Sequence, residues 1–314
     1  MRILVIGAGA TGGFFGSRLT SAGRDVTFLV RPQRAAQLAA DGLQVLSPAG
    51  DTRITPQLLV AEQLHQPFDL ILLAVKAYAL DSALADMSAS VGPHTMIMPL
   101  LNGMRHVDAI VERFGAGVLV GGVCKVNAEL DAQGRIVQRG AINDLTYGEM
   151  DGQLSERTQR LHETLSGAGF ETLLSTTVKR AMWEKWVLLA SLGSINALMR
   201  GTVGDIAAID GGPALVNRLI DEVVALVSRV GEAPDAALLG DFRRMLTLPD
   251  SPQTSSMYRD LCAGGSIEAQ QIVGDLLDRG RGSGIDTPLL SAAYVNLQVY
   301  QHRRDRAGGG AIAP

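Results

Sequence analysis

The feature that most constrains the fold is a glycine-rich run between the first apolar segment and the first helical pattern. Residues 3–6 (ILVI) predict a buried strand and residues 12–22 predict a helix. In such a unit the first glycine permits a tight turn, the second lets a phosphate approach the backbone, and the third lets the helix pack on the strand. The helix N-terminus adds N–H groups that favour an anion. The run therefore predicts a pyrophosphate-binding turn, a turn without a ligand being the alternative; its residues are Gly7, Ala8, Gly9, Ala10, Thr11 and Gly12.

The first half of the chain alternates short apolar runs with helical patterns, which predicts an α/β fold with a parallel sheet covered on both faces. Two further pairs of runs have the character of hairpins. The predicted strands of the sheet are 3–6, 25–30, 69–75 and 95–98, with a helix at 33–41; the hairpins are 43–46 with 52–55, and 118–147 around a turn at 131–134.

Helical patterns replace this alternation near Ser175. At 314 residues the chain is long enough for two domains. We predict an α/β domain at 1–174, a helical domain at 175–306 and a glycine-rich disordered tail at 307–314. The predicted helices of the second domain are 178–192, 213–230, 235–245, 267–279 and 288–302.

Composition excludes several classes of protein. A net charge of −4 and a pI near 5.8 argue against binding to nucleic acid or an anionic membrane. Two distant cysteines, Cys124 and Cys262, fit a reduced cytoplasmic setting. The apolar runs are too short for a membrane span, so we expect a soluble protein. The oligomeric state stays open, a homodimer included. No metal site is expected, because the histidines lack ligand spacing: His65, His94, His106, His162 and His302.

The end of the second predicted strand indicates which dinucleotide is bound. An NAD site places an acid there for the ribose 2′-hydroxyl, whereas this strand ends in Arg31 and Arg34 follows it closely. A guanidinium suits a 2′-phosphate. The sequence therefore favours NADP, with Arg31 as the main contact and Arg34 as a second one; a solvated surface arginine is the alternative.

Two later strand ends carry polar residues. Lys76 follows the strand at 69–75, and Asn102 follows the strand that begins at residue 95. Ligands of open α/β sheets lie beyond the carboxyl ends of the strands. Lys76 could meet a phosphate or a substrate carboxylate, and Asn102 could bind the nicotinamide ribose or the substrate. Each alone is more often a surface residue or a turn former.

A lysine in an apolar helix is the main candidate for chemistry. Lys185 lies between Trp183 and Trp186, and a desolvated ammonium gives up its proton readily, as a general acid must. The alternative is a lysine whose stem covers Trp186 while its charge reaches water. Further along, Ser255 or Ser256 could be a helix cap and Glu268 a first-turn acid.

Taken in order, these pieces resemble the ketopantoate reductases (2-dehydropantoate 2-reductases) over essentially the whole chain. The matching motifs are GAGATGG, Arg31, VKAY with Lys76, LNGM with Asn102, WEK with Lys185, TSSMYRD with Ser256, and IEA with Glu268. The resemblance implies a Rossmann-type domain followed by an all-α domain, an arrangement like that of 6-phosphogluconate dehydrogenase, with substrate held in a cleft between them.

The same resemblance implies roles for these residues. NADPH would be the hydride donor, and Lys185 the general acid that protonates the developing alkoxide of a 2-oxo acid, which in pantothenate biosynthesis is ketopantoate. Glu268 would anchor Lys185 or the cofactor side of the site. Asn102 and Ser256 would orient the substrate, and backbone near Asn127 would touch the nicotinamide.

One departure from the family concerns the substrate. The family usually has asparagines four and eight residues after the lysine, where this chain has Leu189 and Gly193. Asn196 comes three residues late, ~16 Å from Lys185 along a straight helix, and would reach the substrate only if the helix broke near Gly193. A site without these amides should discriminate less well for a hydroxylated substrate.

Three alternatives to ketopantoate reduction therefore stay open. A paralogue could reduce a more apolar 2-oxo acid. A non-catalytic NADP-binding sensor would explain the missing asparagines, although it would need neither Lys185 nor Glu268. An NADP-dependent hydroxyacid dehydrogenase of related two-domain form would differ mainly in substrate and direction.

Overall fold

The computed structural model of the chain describes residues 1–308, which form two compact units. The first unit consists of Met1–Leu101 and His106–Lys179. The second consists of Asn102–Arg105 and the chain from Arg180 onward. The division thus falls at Lys179 rather than at residue 174, and a short piece of the first half belongs to the second unit. The tail predicted at 307–314 lies, from residue 309, outside the described residues.

A five-stranded sheet forms the centre of the first unit, in the order β5-β2-β1-β6-β7 with every neighbouring pair parallel. Side chains of β1 alternate between two separate cores: Ile3 and Val5 face one, Leu4 and Ile6 the other. Both faces of the sheet are therefore covered, as predicted. The strands are β1 (Arg2–Ile6), β2 (Asp25–Leu29), β5 (Gln57–Leu59), β6 (Leu70–Leu73) and β7 (Met96–Pro99).

Helices on the two faces supply the other half of each core. Phe14 of α1 packs in the core of Ile3 and Val5, whereas Leu84 of α3 and Ile110 of α4 pack in the other core. The four helices are α1 (Ala10–Ser21), α2 (Pro32–Asp41), α3 (Leu80–Asp86) and α4 (Arg105–Phe114). Strand β5 and helices α3 and α4 were not predicted from the sequence.

A second sheet completes the first unit, in the order β10-β9-β3-β4 with β8 paired to β9. Both predicted hairpins are confirmed, because β3 pairs with β4 and β8 with β9 in antiparallel register. The Gly134 N–H closes the predicted turn on the Asp131 carbonyl at 2.9 Å. The elements are β3 (Leu43–Leu46), β4 (Thr52–Ile54), β8 (Gly121–Leu130), β9 (Ile136–Gly148), α5 (Glu156–Leu165) and β10 (Glu171–Leu174).

The regular elements described in the second unit are helical. Helix α6 is longer than predicted, and the predicted helix at 267–279 is interrupted by a π-helical turn at Gln270–Gly274. No helix within residues 1–308 is long and apolar enough to cross a bilayer. The helices are α6 (Val178–Met199), α7 (Val203–Ala207), α8 (Gly212–Val230), α9 (Ala236–Leu246), α10 (Ser256–Cys262), α11 (Asp275–Arg279) and α12 (Pro288–Arg306).

Candidate active site

The glycine-rich turn joins β1 to α1 with almost no space between their backbones. Gly7 has φ +93°, in the range that favours glycine, and its N–H donates to the Leu29 carbonyl at 3.0 Å. A Cβ on Gly12 would lie 2.1 Å from the Gly7 carbonyl oxygen. Position 12 therefore accepts only glycine, and the reason is the packing of the helix on the turn.

Gly9 differs from Gly12, because a Cβ there would meet nothing within 4 Å. Gly9 occupies the N-cap position of α1, no side chain caps this end, and the first turn holds no acidic residue. The first N–H groups of a helix need partners from outside the helix. The open space and the uncapped end together fit a bound pyrophosphate.

The loop after β6 lies beside this turn. A Cβ on Gly12 would be 2.8 Å from the Ala74 Cβ, and one on Gly7 would be 3.3 Å from the Val75 Cγ1. The sheet order reverses between β1 and β6, and ligands of such sheets bind at this point. Lys76, next in the chain, is exposed. The first unit thus places Lys76 close to the predicted pyrophosphate turn.

The two arginines after β2 have different environments. Arg31 is exposed at the N-cap position of α2, and its guanidinium forms no hydrogen bond or ion pair within residues 1–308. Arg34 instead donates to the carbonyls of Ala8 at 3.1 Å and Gly134 at 3.0 Å, and burial lowers its pKa. Arg34 thus braces the glycine-rich turn, and a phosphate contact by it stays a prediction, whereas the Arg31 guanidinium is open to a ligand.

Asn127 lies at an irregularity of the β8–β9 ladder. Val126 pairs with Asn143, but Ala128 pairs with Gln138, so the register shifts across Asn127. The residue is exposed. Such bulges often re-aim residues next to active sites, which is compatible with the contact expected for the backbone near Asn127.

Asn102 belongs to the second unit, where Gln271 holds its backbone. The Asn102 carbonyl accepts a 2.7 Å hydrogen bond from Gln271 Nε2. Gly103 has φ +78°, and a Cβ there would lie 2.7 Å from the Gln271 carbonyl oxygen. The loop therefore lies directly against the π-helical turn. Gln271 was not among the predicted site residues, although a glutamine inside the apolar run after Glu268 was a usable signal.

Lys185 is half-buried on α6, whose tryptophans anchor the helix. The rings of Trp183 and Trp186 lie 5.0 Å apart, and Trp186 is fully buried. Its indole N–H donates to the Ile272 carbonyl at 2.8 Å. The Arg279 guanidinium lies 5.7 Å from the centroid of the Trp186 ring. The helix that carries Lys185 is thus bonded to the π-helical turn.

The residues that follow Lys185 at helical spacing are apolar. Leu189, one turn on, is half-buried. At Gly193, another turn on, a Cβ would lie 2.7 Å from the Met257 Cε. Positions four and eight residues apart share a helix face. This face presents hydrocarbon where the family usually has two amides.

Asn196 does not replace the missing amides, because α6 continues unbroken to Met199. Its Oδ1 accepts from the Ser255 N–H at 2.9 Å and its Nδ2 donates to the Gly201 carbonyl at 2.8 Å, with the residue fully buried. The hypothesis that Asn196 reaches the substrate through a helix break is wrong. Its amide joins α6 to the start of α10.

The two serines at that start have separate roles. Ser255 is the N-cap, and its hydroxyl accepts from the Tyr258 N–H at 3.0 Å. Ser256, the first residue of α10, is half-buried. The serine that caps the helix is therefore Ser255. The Ser256 hydroxyl is not used for capping and stays the predicted substrate contact.

Glu268 is 7% exposed and directly precedes Ala269 and the π-helical turn, so its carboxyl is buried in the second unit. Three hydrogen bonds now connect the segments of the predicted site in this unit: Trp186 to Ile272, Asn196 to Ser255, and Gln271 to Asn102. The four segments joined in this way carry Lys185, Ser256, Glu268 and Asn102. Within residues 1–308 no group of His, Cys, Asp and Glu could hold a metal ion.

This fold and site define a class of oxidoreductases in which a parallel sheet with a phosphate-binding turn precedes a helical unit. Comparison with known families makes the assignment specific. The family model described as "Ketopantoate reductase PanE/ApbA" matches residues 3–152, and the model of the C-terminal part of the same family matches residues 177–301. The chain therefore belongs to the ketopantoate reductase family.

Individual relatives agree over nearly the whole length. The chain is 33% identical over 301 residues to the uncharacterized oxidoreductase YkpB of Bacillus subtilis, covering 96% of this chain and 99% of that one. A crystal structure of 2-dehydropantoate 2-reductase from Geobacter metallireducens is 28% identical with a TM-score of 0.86, covering 95% and 99%. D-mandelate dehydrogenase with NADH and anilino(oxo)acetate shares the fold, with a TM-score of 0.87, 19% identity and coverage of 97% and 99%.

Proposed function

We propose that this protein is an NADPH-dependent reductase of 2-oxo acids, and that 2-dehydropantoate, reduced to pantoate in pantothenate biosynthesis, is its first candidate substrate. The observation that carries the proposal is the set of three hydrogen bonds that connects the segments of Lys185, Ser256, Glu268 and Asn102. The same unit therefore holds, on connected segments, the four side chains that the reaction would use.

The first unit would hold the cofactor. The backbone from Gly7 to Gly12 and the N-terminus of α1 bind its pyrophosphate, Arg31 binds the 2′-phosphate, and Lys76 adds a second cation near the phosphates. Asn127 backbone, Asn102 and Glu268 act on the nicotinamide side. When bound, the reduced nicotinamide supplies the hydride for the reaction.

Lys185 would supply the proton. As the C2 carbonyl of the 2-oxo acid is reduced, its π electrons move onto oxygen, and the ammonium stabilises that negative charge before giving it a proton. Asn102 and Ser256 donate hydrogen bonds that orient the acid. The Glu268 carboxylate holds the Lys185 ammonium in position or supports the cofactor side of the site.

A second candidate substrate class is favoured by the apolar face that follows Lys185. Leu189, Gly193 and the Met257 methyl group offer no hydrogen bond to the hydroxyl of ketopantoate. A 2-oxo acid with a hydrocarbon or aromatic side chain would be better matched. The fold shared with D-mandelate dehydrogenase is compatible with such a substrate, although it shows the fold alone.

The test is the rate of NADPH oxidation with ketopantoate, branched-chain 2-oxo acids and phenylglyoxylate. We expect turnover, and a fall in kcat of about 10³-fold for Lys185→Ala. The control is Lys179→Ala, which removes an exposed cation from the same helix. Arg31→Ala should raise KM for NADPH about tenfold and leave KM for NADH unchanged.

The outcomes separate the alternatives. Preference for apolar acids over ketopantoate would favour the second substrate class. Binding of NADPH without reduction of any acid would overturn the reductase proposal in favour of a sensor. Full activity of Lys185→Ala would show that another group donates the proton.

A further inference from the structure

We propose that Gln271 is a positioning residue that fixes the Asn102 loop against the π-helical turn, so that the Asn102 side chain is held in its working orientation. This inference rests on the proposed function for the role of Asn102. The contact between Gln271 and the Asn102 loop is independent of the proposed function and can be tested without substrate.

The contact combines a hydrogen bond with a close backbone approach. Gln271 Nε2 donates to the Asn102 carbonyl at 2.7 Å, and Gln271 is only 3% exposed. The next residue, Gly103, has a left-handed φ, and a Cβ on it would lie 2.7 Å from the Gln271 carbonyl oxygen. The Gln271 side chain thus bonds the Asn102 carbonyl, and the Gln271 backbone leaves no room for a side chain at Gly103.

The turn that carries Gln271 is itself fixed to the helix of Lys185. π-Helical turns are rare and often occur at functional sites. In this one, Gln271 precedes Ile272, whose carbonyl accepts the Trp186 indole N–H. Consecutive residues of one turn therefore bond the Asn102 loop and α6. The turn sets the position of Asn102 relative to the helix of Lys185.

An amide is the required chemistry at position 271. The Asn102 carbonyl needs a donor, and a partly buried acceptor left without one carries a desolvation cost. Gln271→Met keeps the length of the side chain but removes the donor. Gln271→Glu places carboxylate oxygens against the carbonyl oxygen and should be more disruptive still. Gln271→Asn keeps the amide but shortens its reach by one methylene.

The neighbouring glutamine provides a matched control. Gln270 lies in the same π-helical turn, but its side chain bonds Asp278 at 3.0 Å and Tyr294, not the loop. Gln270→Met should therefore perturb the turn to a similar degree and leave the Asn102 loop in place.

The first measurement is hydrogen–deuterium exchange of the backbone amides at 102–105 in the full-length protein. We expect Gln271→Met and Gln271→Asn to raise their exchange rate about tenfold, the factor that one net hydrogen bond is worth. Gln270→Met should not change it. Unchanged exchange in both Gln271 variants would overturn the proposal.

The second measurement is a double-mutant cycle with Asn102→Ala, scored by kcat/KM for whichever 2-oxo acid is reduced. Gln271→Met should lower kcat/KM about tenfold in the wild-type background and have no further effect beside Asn102→Ala. If the two substitutions lower kcat/KM by factors that multiply in the double variant, Gln271 has a general structural role and the positioning role is overturned. If the wild-type protein reduces no 2-oxo acid, the proposed function fails, and the exchange rates alone decide whether Gln271 holds the loop.

Discussion

At the scale of single residues, Gly9 and Gly12 satisfy one motif for different physical reasons. Gly12 is required by the fold, because any side chain would meet the Gly7 carbonyl oxygen. Gly9 has room for a side chain, and its φ of −83° is ordinary for any residue. Nothing in the described chain requires a glycine at position 9, so we attribute it to the proposed pyrophosphate contact.

We expect Gly9→Ala and Gly12→Ala to separate folding from binding. Gly9→Ala should fold, losing at most about 1 kcal/mol as a poorer helix N-cap, and raise Kd for NADPH at least about tenfold. Gly12→Ala should lower Tm strongly, because its Cβ overlaps a backbone atom. Gly117→Ala, where a Cβ also meets open space, should change neither. Unaltered NADPH binding by Gly9→Ala would argue against pyrophosphate at this turn.

Some residue roles were accessible from sequence and others were not. Residue type and position after a strand singled out Arg31, which is exposed and whose guanidinium has no partner among residues 1–308. Arg34 has the same chemistry and a similar position, yet it binds two carbonyls that come from distant parts of the chain. Asn196 is a similar case. Which polar groups a fold uses internally depends on tertiary contacts that local spacing does not contain.

At the scale of elements, α6 and the π-helical turn form the centre of the candidate site. A π-helical turn widens the backbone locally; here it follows Glu268 and presents Ile272 to Trp186. The sequence predicted an ordinary helix over 267–279. The additional residue of a π-helical turn has no periodic signature in the sequence. Trp186, which bonds this turn through the Ile272 carbonyl, lies 86 residues away in the chain.

Trp186→Phe tests this link between the elements. The Ile272 carbonyl would lose its buried donor, at a cost of about 1–3 kcal/mol beyond the loss of ring area. The control is Trp183→Phe, which shrinks the partner ring on the same helix. We expect urea denaturation to show a larger loss for Trp186→Phe, by at least about 1 kcal/mol. Equal losses would mean that the hydrogen bond contributes little to the stability of the second unit.

At the scale of the whole molecule, the alternating pattern was sufficient to predict an α/β part followed by a helical part. Apolar runs without polar alternation indicate strands buried on both faces, and β1 and β6 are of this kind. Short or mixed elements such as β5 and β10 were missed, because the sheet decides their state. The segment Asn102–Arg105 belongs to the second unit, where the Asn102 carbonyl accepts from Gln271, and this distant contact had no local signal.

A partly buried ion pair should contribute to the response of global stability to pH. Arg157 donates to the Glu149 carboxylate at 2.7 and 2.5 Å and, with help from Ser155, lowers its pKa. Since the folded pKa lies below the ordinary value of 4.5, the stabilisation is complete above that pH and is lost as the pH falls through the folded value. Glu149→Gln should therefore cost about 2 kcal/mol at pH ~7, and this difference should shrink in acid.

Urea denaturation at a series of pH values measures the effect. The control is Glu129→Gln, whose ion pair with Arg139 is exposed, the two side chains being 40% and 64% accessible. This variant should differ from wild type by less than about 0.5 kcal/mol. A loss for Glu149→Gln that stays constant down to pH ~3 would contradict an ionic origin.

The placement of Asn102–Arg105 in the second unit has a consequence for dissecting the protein. A gene fragment that begins at Arg180 would encode the long helices but omit the short strip Asn102–Arg105 that contacts Gln271. The Gln271 amide, buried in the intact protein, would then be exposed to water. The helical half is thus not a module that can be cut out or exchanged at one junction. A chimera between relatives would have to exchange the short strip together with the distant turn beneath it.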